Sequence, residues 1–247
     1  MKKIFLIGCL LQSIVSFAQE IEFKGVIMDS FNTPIPYVNI GILHKSIGTV
    51  SNDLGEFSLK LHESMKSDTI RISCLGFESK KIIVENIFKN TSKDNHLILN
   101  SFIEKLSEIQ LKPNKTKEYS KGKIKQHTNS VVNFSAYKEI QRNLGTEIGK
   151  KFKLGSKKVS FLKSFQFLLK ENNFEYLKFR VHIYSIKNNL PNKLLFNEAI
   201  FVKVSDKFQN KNLVEVDLSP FNIQVKQDII MTVEWVENSD NGNILSL

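Results

Sequence analysis

Apolar and polar residues alternate with a period of two along most of this chain. Ile21, Phe23, Gly25 and Ile27 alternate with Glu22, Lys24 and Val26 in a first strand. Val38, Ile40 and Ile42 line one face of the next, Phe57, Leu59 and Leu61 of another, and Ile70, Ile72 and Cys74 of a further one. Runs at Lys80 to Val84, Leu97 to Leu99 and Ile109 to Leu111 bring the count to about seven. Turn residues separate them. Asp29 to Pro34 is a loop, and Ser51-Asn52-Asp53-Leu54-Gly55 a hairpin connection, in which Gly55 takes φ > 0 and Asn52 or Asp53 closes an Asx-type turn. Short strands at such spacing predict an antiparallel β-sandwich over residues 19–111.

The alternation resumes near Lys158. Val159, Phe161, Phe165, Phe167 and Leu169 fall on odd positions, interrupted by Lys163. Leu177, Phe179, Val181 and Ile183 form a core face, with Lys178, Arg180, His182 and Tyr184 opposite. Ile200, Val202 and Val204 follow, then Val214, Val216 and Leu218, then Ile229, Met231, Val233 and Trp235. Residues 158–247 are a second all-β unit, a second sandwich. Residues 112–157 between them are rich in Lys, Asn and Ser. Their longest apolar feature is Val131-Val132-x-Phe134, and Tyr137 to Ile148 is a short-helix candidate. This stretch reads as a linker with one or two docking contacts. At the end, Asn241-Gly242 signals a hairpin with few residues after it. Either a very short strand closes the sheet, or the chain is a truncated piece of a longer one; the pattern favours truncation.

The first residues stand apart from the fold. Lys2 and Lys3 precede an apolar run from Ile4 to Val15, and Ser16-Phe17-Ala18 places small residues before a cleavage point. Residues 1–18 therefore read as a secretory signal peptide, too short for a membrane span. A rival reading takes Leu6-Ile7-Gly8-Cys9 as a lipoprotein box with lipidation at Cys9, but only five residues separate Lys3 from Cys9. No later stretch is long and apolar enough to span a bilayer. The net charge of +10 is local: residues 112–158 hold 13 basic and 3 acidic residues, and the rest of the chain 22 of each. The excess marks a basic linker that could touch an anionic envelope surface, not a nucleic-acid-binding fold. A processed chain keeps one cysteine, Cys74, expected inward as a small hydrophobe, so two cores and no disulfide must supply stability.

No residues stand out as catalytic, cofactor-binding or metal-binding. His44, His62, His96, His127 and His182 fit no helical zinc pattern, and His62 and Glu63 face opposite sides of a strand. There is no nucleophile elbow, and Lys121-Gly122-Lys123 lacks the glycine spacing of a phosphate loop. Asp53 and Glu56 read as turn and strand-edge residues rather than paired acids, and Asp240-Asn241-Gly242 lacks the distal glutamate of a calcium loop.

Several motifs in order carry a resemblance: Gly25-Val26-Ile27-x-Asp29, Pro34-Ile35-Pro36-Tyr37-Val38-Asn39-Ile40, Gly48-Thr49-Val50-Ser51-Asn52, Gly55-Glu56-Phe57 and Ile72-Ser73-x-Leu75-Gly76-Phe77. Over about 70 residues the chain resembles the carboxypeptidase-like regulatory domain, a transthyretin-like, Ig-like sandwich of seven strands. The family usually has Gly-Tyr where this chain has Gly76-Phe77. Such domains flank metallocarboxypeptidase catalytic units, whose zinc-binding domain has no counterpart here, so the resemblance implies no enzyme and no cofactor. They also precede the plug and barrel of TonB-dependent outer-membrane receptors. Phe179-Arg180-Val181-x-Ile183-Tyr184, Val216-Asp217-Leu218-Ser219 and Glu234-Trp235 look like the downstream sandwich of exported proteins carrying this domain alone. The expectation is an exported, non-catalytic binding or scaffolding module, in the periplasm or at the outer membrane or cell surface. Its partner would be an envelope protein or glycan. The alternative is an N-terminal extension of a TonB-dependent receptor.

Overall fold

Alternating side chains build the first unit as two facing sheets. The computed structural model describes residues 20–90, 95–102, 117–122, 132–134, 143–155, 158–205 and 212–246. Its first strands are β1 (Glu20–Met28), β2 (Asn39–Ile42), β3 (Gly48–Val50), β4 (Glu56–His62), β5 (Thr69–Ser73), β6 (Lys80–Ile83) and β7 (Asn95–Ile98). They pair as β4-β1-β7 and β3-β2-β5-β6. Phe23, Ile27, Phe57, Leu59 and Leu61 meet Ile40, Ile42, Ile70 and Ile72 in one core, as the period of two requires. The Asn52 side chain closes the predicted turn: its Oδ1 accepts from the amides of Leu54 (3.0 Å) and Glu56 (2.9 Å), while Gly55 sits at φ 75°.

Two details depart from the sequence reading. The sandwich is not wholly antiparallel, because β7 runs parallel to β1, with Gly25 opposite Asn95. A Cβ at Gly25 would lie 2.1 Å from the Asn95 carbonyl oxygen, so only glycine admits this approach. Val84 ends no strand; it opens a short helix α1 (Val84–Lys89), and its amide donates to the Asp68 carbonyl (3.0 Å). Residues 1–18, Cys9, the strand expected at Ile109 to Leu111, and His127 lie outside the described residues.

The second unit contains β8 (Glu147–Phe152), β9 (Ser160–Phe161), β10 (Ser164–Leu169), β11 (Glu171–Asn172), β12 (Leu177–Lys187), β13 (Leu190–Leu194), β14 (Ile200–Val204), β15 (Asn212–Asp217), β16 (Gln224–Val225), β17 (Ile229–Asn238) and β18 (Leu245–Ser246). Its main sheet is β13-β12-β17-β8, with β14 beside the first half of β12. The pair β10-β15 lies across the core, where the Phe167 and Phe179 rings meet edge to face at 5.6 Å. Phe134 is fully buried between Phe179 and Trp235, whereas Val132 beside it is exposed and Val131 lies outside the described residues.

Strand β8 falls inside the stretch read as linker, and Glu147 and Ile148 are in this strand rather than in a helix; Tyr137 lies outside the described residues. Its sequence, EIGKKF, hid it: an edge strand carries charged side chains on solvent-facing positions and shows little alternation. The tail also differs. Leu245–Ser246 pairs with β11, not back onto β17. The Asn173 side chain catches the loop, its Oδ1 accepting from the amides of Asn243 and Ile244 at 2.8 Å each.

One end of sheet β3-β2-β5-β6 lies against the second unit, at Tyr37, Asn39 and Val50, while Arg71 and Lys81 on the same outer face are exposed. Tyr37 and Val50 pack into the second core rather than the first. A Cβ on Gly145 would touch Val50 at 3.1 Å, and the Tyr37 ring lies 5.2 Å from that of Phe201.

Candidate functional site

The polar face of β12 and β17 becomes the floor of a closed cluster between the two units. The register sets Arg180 opposite Glu234 and His182 opposite Thr232. A bulge between Lys178 and Phe179 shifts the pairing so that Lys178 lies opposite Glu237. On the far side, β8 sets Glu147 opposite Glu234 and Gly149 opposite Thr232. A Cβ on Gly149 would lie 2.3 Å from the Thr232 methyl, so glycine lets these strands close at the cluster's edge.

Glu234 is its centre. Its Oε2 accepts from Arg180 Nε (2.8 Å) and His182 Nε2 (2.6 Å), and the charge on Arg180 Nη2 lies 2.8 Å from it. The side chains of Arg180 and Glu234 are 4% and 1% exposed. Burial pushes the Glu234 carboxyl up, but the His182 hydrogen bond and the Arg180 charge outweigh it and hold the group below its ordinary value. Arg180 also reaches the first unit: Nη1 donates to the Tyr37 carbonyl (2.8 Å) and Nη2 to Asn39 Oδ1 (3.3 Å). The other oxygen of Glu234, Oε1, is buried with no partner among the described residues.

A second group borders the first. The Tyr37 hydroxyl donates to Glu237 Oε2 (2.6 Å), Tyr176 donates to Glu237 Oε1 (2.9 Å), and Lys178 Nζ donates to Glu237 Oε2 (2.6 Å) and to the Tyr37 oxygen. The Lys178 ammonium also stands 4.5 Å over the Tyr37 ring. Burial raises the Glu237 carboxyl, but bonds from Lys178, Tyr37 and Tyr176 bring it below its ordinary value. Toward β8, Thr232 donates to Glu147, and the Tyr184 hydroxyl is pushed far up by burial and by the Glu147 carboxylate.

These directions set an acid dependence. A carboxyl whose folded pKa lies below its unfolded value adds stability above the ordinary value of 4.5 and loses it as pH falls through the folded value. The thermal midpoint should therefore fall progressively below about pH 4.5. Glu237→Gln should lower the neutral-pH midpoint and flatten part of that acid slope. An acid slope as steep as that of the unaltered protein would contradict the assignment.

Of the histidines singled out from sequence that lie among the described residues, only His182 enters this cluster. His44 sits in a turn at φ 63°, His62 is 3.8 Å from Glu20 at the end of β4, and His96 is exposed on β7. Asp53 and Glu56 are in and beside the turn after β3, and Glu56 accepts from Asn52 Nδ2 (2.8 Å). Among the described residues no three His, Cys, Asp or Glu side chains gather as a metal site would require. Cys74 packs against the first core, where burial raises its thiol and the Arg180 charge opposes that rise. Alternation located Lys178, Arg180 and His182 on the face opposite the core, but not their burial, which comes from the first unit covering that face. The available signal was opposite charge on two long strands: Lys178, Arg180 and His182 on one, Glu234 and Glu237 on the other.

The covering unit is the sandwich of β1 to β7, which carries the Pro-Ile-Pro-Tyr segment. Residues 23–111 match the family model of the CarboxypepD_reg-like domain. The resemblance drawn from the motifs between Gly25 and Phe77 is thereby established, and the strands of both units establish the all-β fold. The CarboxypepD_reg-like domain supplies Tyr37 and Asn39 to the cluster, and the sheet beyond the matched residues supplies the remaining groups. A stretch of 100 residues is 27% identical to the TonB-dependent receptor SusC of Bacteroides thetaiotaomicron, covering 40% of this chain and 10% of SusC. The likeness thus spans about a tenth of the length of that curated relative.

Proposed function

We propose that this chain is a non-catalytic, exported binding or scaffolding module of the bacterial cell envelope. In it a CarboxypepD_reg-like domain is held in a set orientation on a second β unit. The observation that carries this reading is the pairing at the cluster: Arg180 pairs with Glu234 and Lys178 with Glu237, and Arg180, Lys178 and Glu237 each bond to Tyr37, which is the arrangement of a joint between units. The matched family is a regulatory-like domain, and the likeness to a TonB-dependent receptor supports an envelope location. The partner is an envelope protein or glycan.

Fractionation with intact-mass measurement tests this. The protein should be recovered from the envelope as a chain beginning at Gln19, without stoichiometric zinc after dialysis and without activity on C-terminal peptide or ester substrates. An unprocessed cytoplasmic chain beginning at Met1, or one tightly held zinc per chain, would contradict the proposal. The likeness to SusC favours a second reading, the N-terminal extension of a TonB-dependent receptor. An envelope species several hundred residues longer would decide for it.

A further inference from the structure

Tyr37 is the most unusual backbone position of the joint. Its φ is 54°, in the left-handed region, which disfavours a bulky aromatic residue. Its neighbours are fixed by their own unit: Ile35 and Val38 are buried in the first core, the Val38 amide donates to Ser51 Oγ (2.9 Å), and Ser51 Oγ donates to the Ile35 carbonyl (3.3 Å). Tyr37 itself has only a long backbone bond to its own unit, 3.4 Å to the Asn52 carbonyl. What holds it comes from the other side. Glu237 takes its hydroxyl, Lys178 covers its ring, Phe201 packs beside it, and Arg180 donates to its carbonyl.

We propose that Tyr37 is a strained, releasable latch: the second unit holds it in a left-handed conformation, and the two units can part without either unfolding. Three physical points carry this. The strain resides in one residue, and a residue whose partners leave can relax to negative φ. The polar groups that separate on parting, those of Arg180, Lys178 and Glu237 bonded to Tyr37 and Asn39, can be solvated by water; Tyr37 and Val50 leave the second core, and the other apolar residues of each core stay together. Interfaces of this polar kind between domains permit relative motion.

The test reads opening at His182, which is 8% exposed and hydrogen-bonds Glu234 on the polar face of β12. Diethyl pyrocarbonate modification of the full chain is mapped by mass spectrometry, with exposed His44 and His96 as internal references. Amide exchange over β2 and β5 reports whether the first unit stays folded. Tyr37→Ala should speed His182 modification by about tenfold or more, with β2 and β5 exchange unchanged within about threefold. Tyr37→Gly, which carries no left-handed penalty and keeps its carbonyl for Arg180, should react about fivefold more slowly than Tyr37→Ala. Tyr37→Phe, the mildest change, should give a rise of about threefold with exchange intact. His182 as slow in Tyr37→Ala as in the unaltered protein would overturn the latch. So would modification that rises only together with β2 and β5 exchange. Equal rates for the Gly and Ala variants would remove the strain from the account. Should Tyr37→Ala fail to fold, no rise in Tyr37→Phe would overturn the proposal on its own.

Discussion

Arg180→Met should destabilise the protein by about 3–5 kcal/mol, because it leaves Glu234 charged, buried and without its cation. Arg180 makes three hydrogen bonds, one each to Glu234, the Tyr37 carbonyl and the Asn39 side chain, and its Nη2 also pairs with the Glu234 carboxylate at 2.8 Å. Methionine fills a similar volume and supplies none of them. The destabilisation has two parts that a second substitution separates. Combining Arg180→Met with Glu234→Gln removes the stranded charge and should recover at least half of the stability. Recovery stays incomplete because the Tyr37 carbonyl and Asn39 still lack their donor. Denaturant unfolding of the two single variants and the double checks this. Additive effects would show that the two residues do not form one unit.

Trp235→Ala should cost about 3–5 kcal/mol, the range for removing a fully buried aromatic side chain. The Trp235 ring is at 0% exposure, with Phe174 at 5.4 Å and Phe134 at 6.2 Å, both edge to face. Its Nε1 donates to the Glu237 carbonyl (3.1 Å), which ties the core to the residue holding the Tyr37 hydroxyl. Trp235→Phe, which keeps most of the buried area and loses that bond, should cost about 1–3 kcal/mol. Equilibrium unfolding measures both; a cost below about 1 kcal/mol for the alanine variant would mean the second core can collapse around the missing ring.

Both cores were legible from the period of two. Leu177, Phe179, Val181 and Ile183 on one strand, and Met231, Val233 and Trp235 on another, face the core as the alternation requires. The Asn52–Gly55 turn was legible because its chemistry is local. What stayed hidden depends on long-range register. Arg180 and Glu234 are 54 residues apart in sequence, and only the pairing of β12 with β17 brings them together. Continuing the alternation would set Lys178 opposite Val236; the bulge sets it opposite Glu237, and no local signal announces that shift. Strand β8 was hidden because an edge strand bearing Glu147, Lys150 and Lys151 looks like the basic stretch around it. The parallel pairing of β7 rests on Gly25, whose need for a missing Cβ appears only when Asn95 is placed beside it.

The CarboxypepD_reg-like domain is docked on the second unit through Tyr37 and Asn39, which bond to Arg180, Lys178 and Glu237. Backbone ¹⁵N relaxation of the protein at neutral pH tests it most directly, through the tumbling time reported by amides of β1 to β7 and of β12 and β17. Docked units must give one common tumbling time, and Tyr37→Ala must split it into two shorter ones. Two separate, shorter times in the unaltered protein would contradict the account.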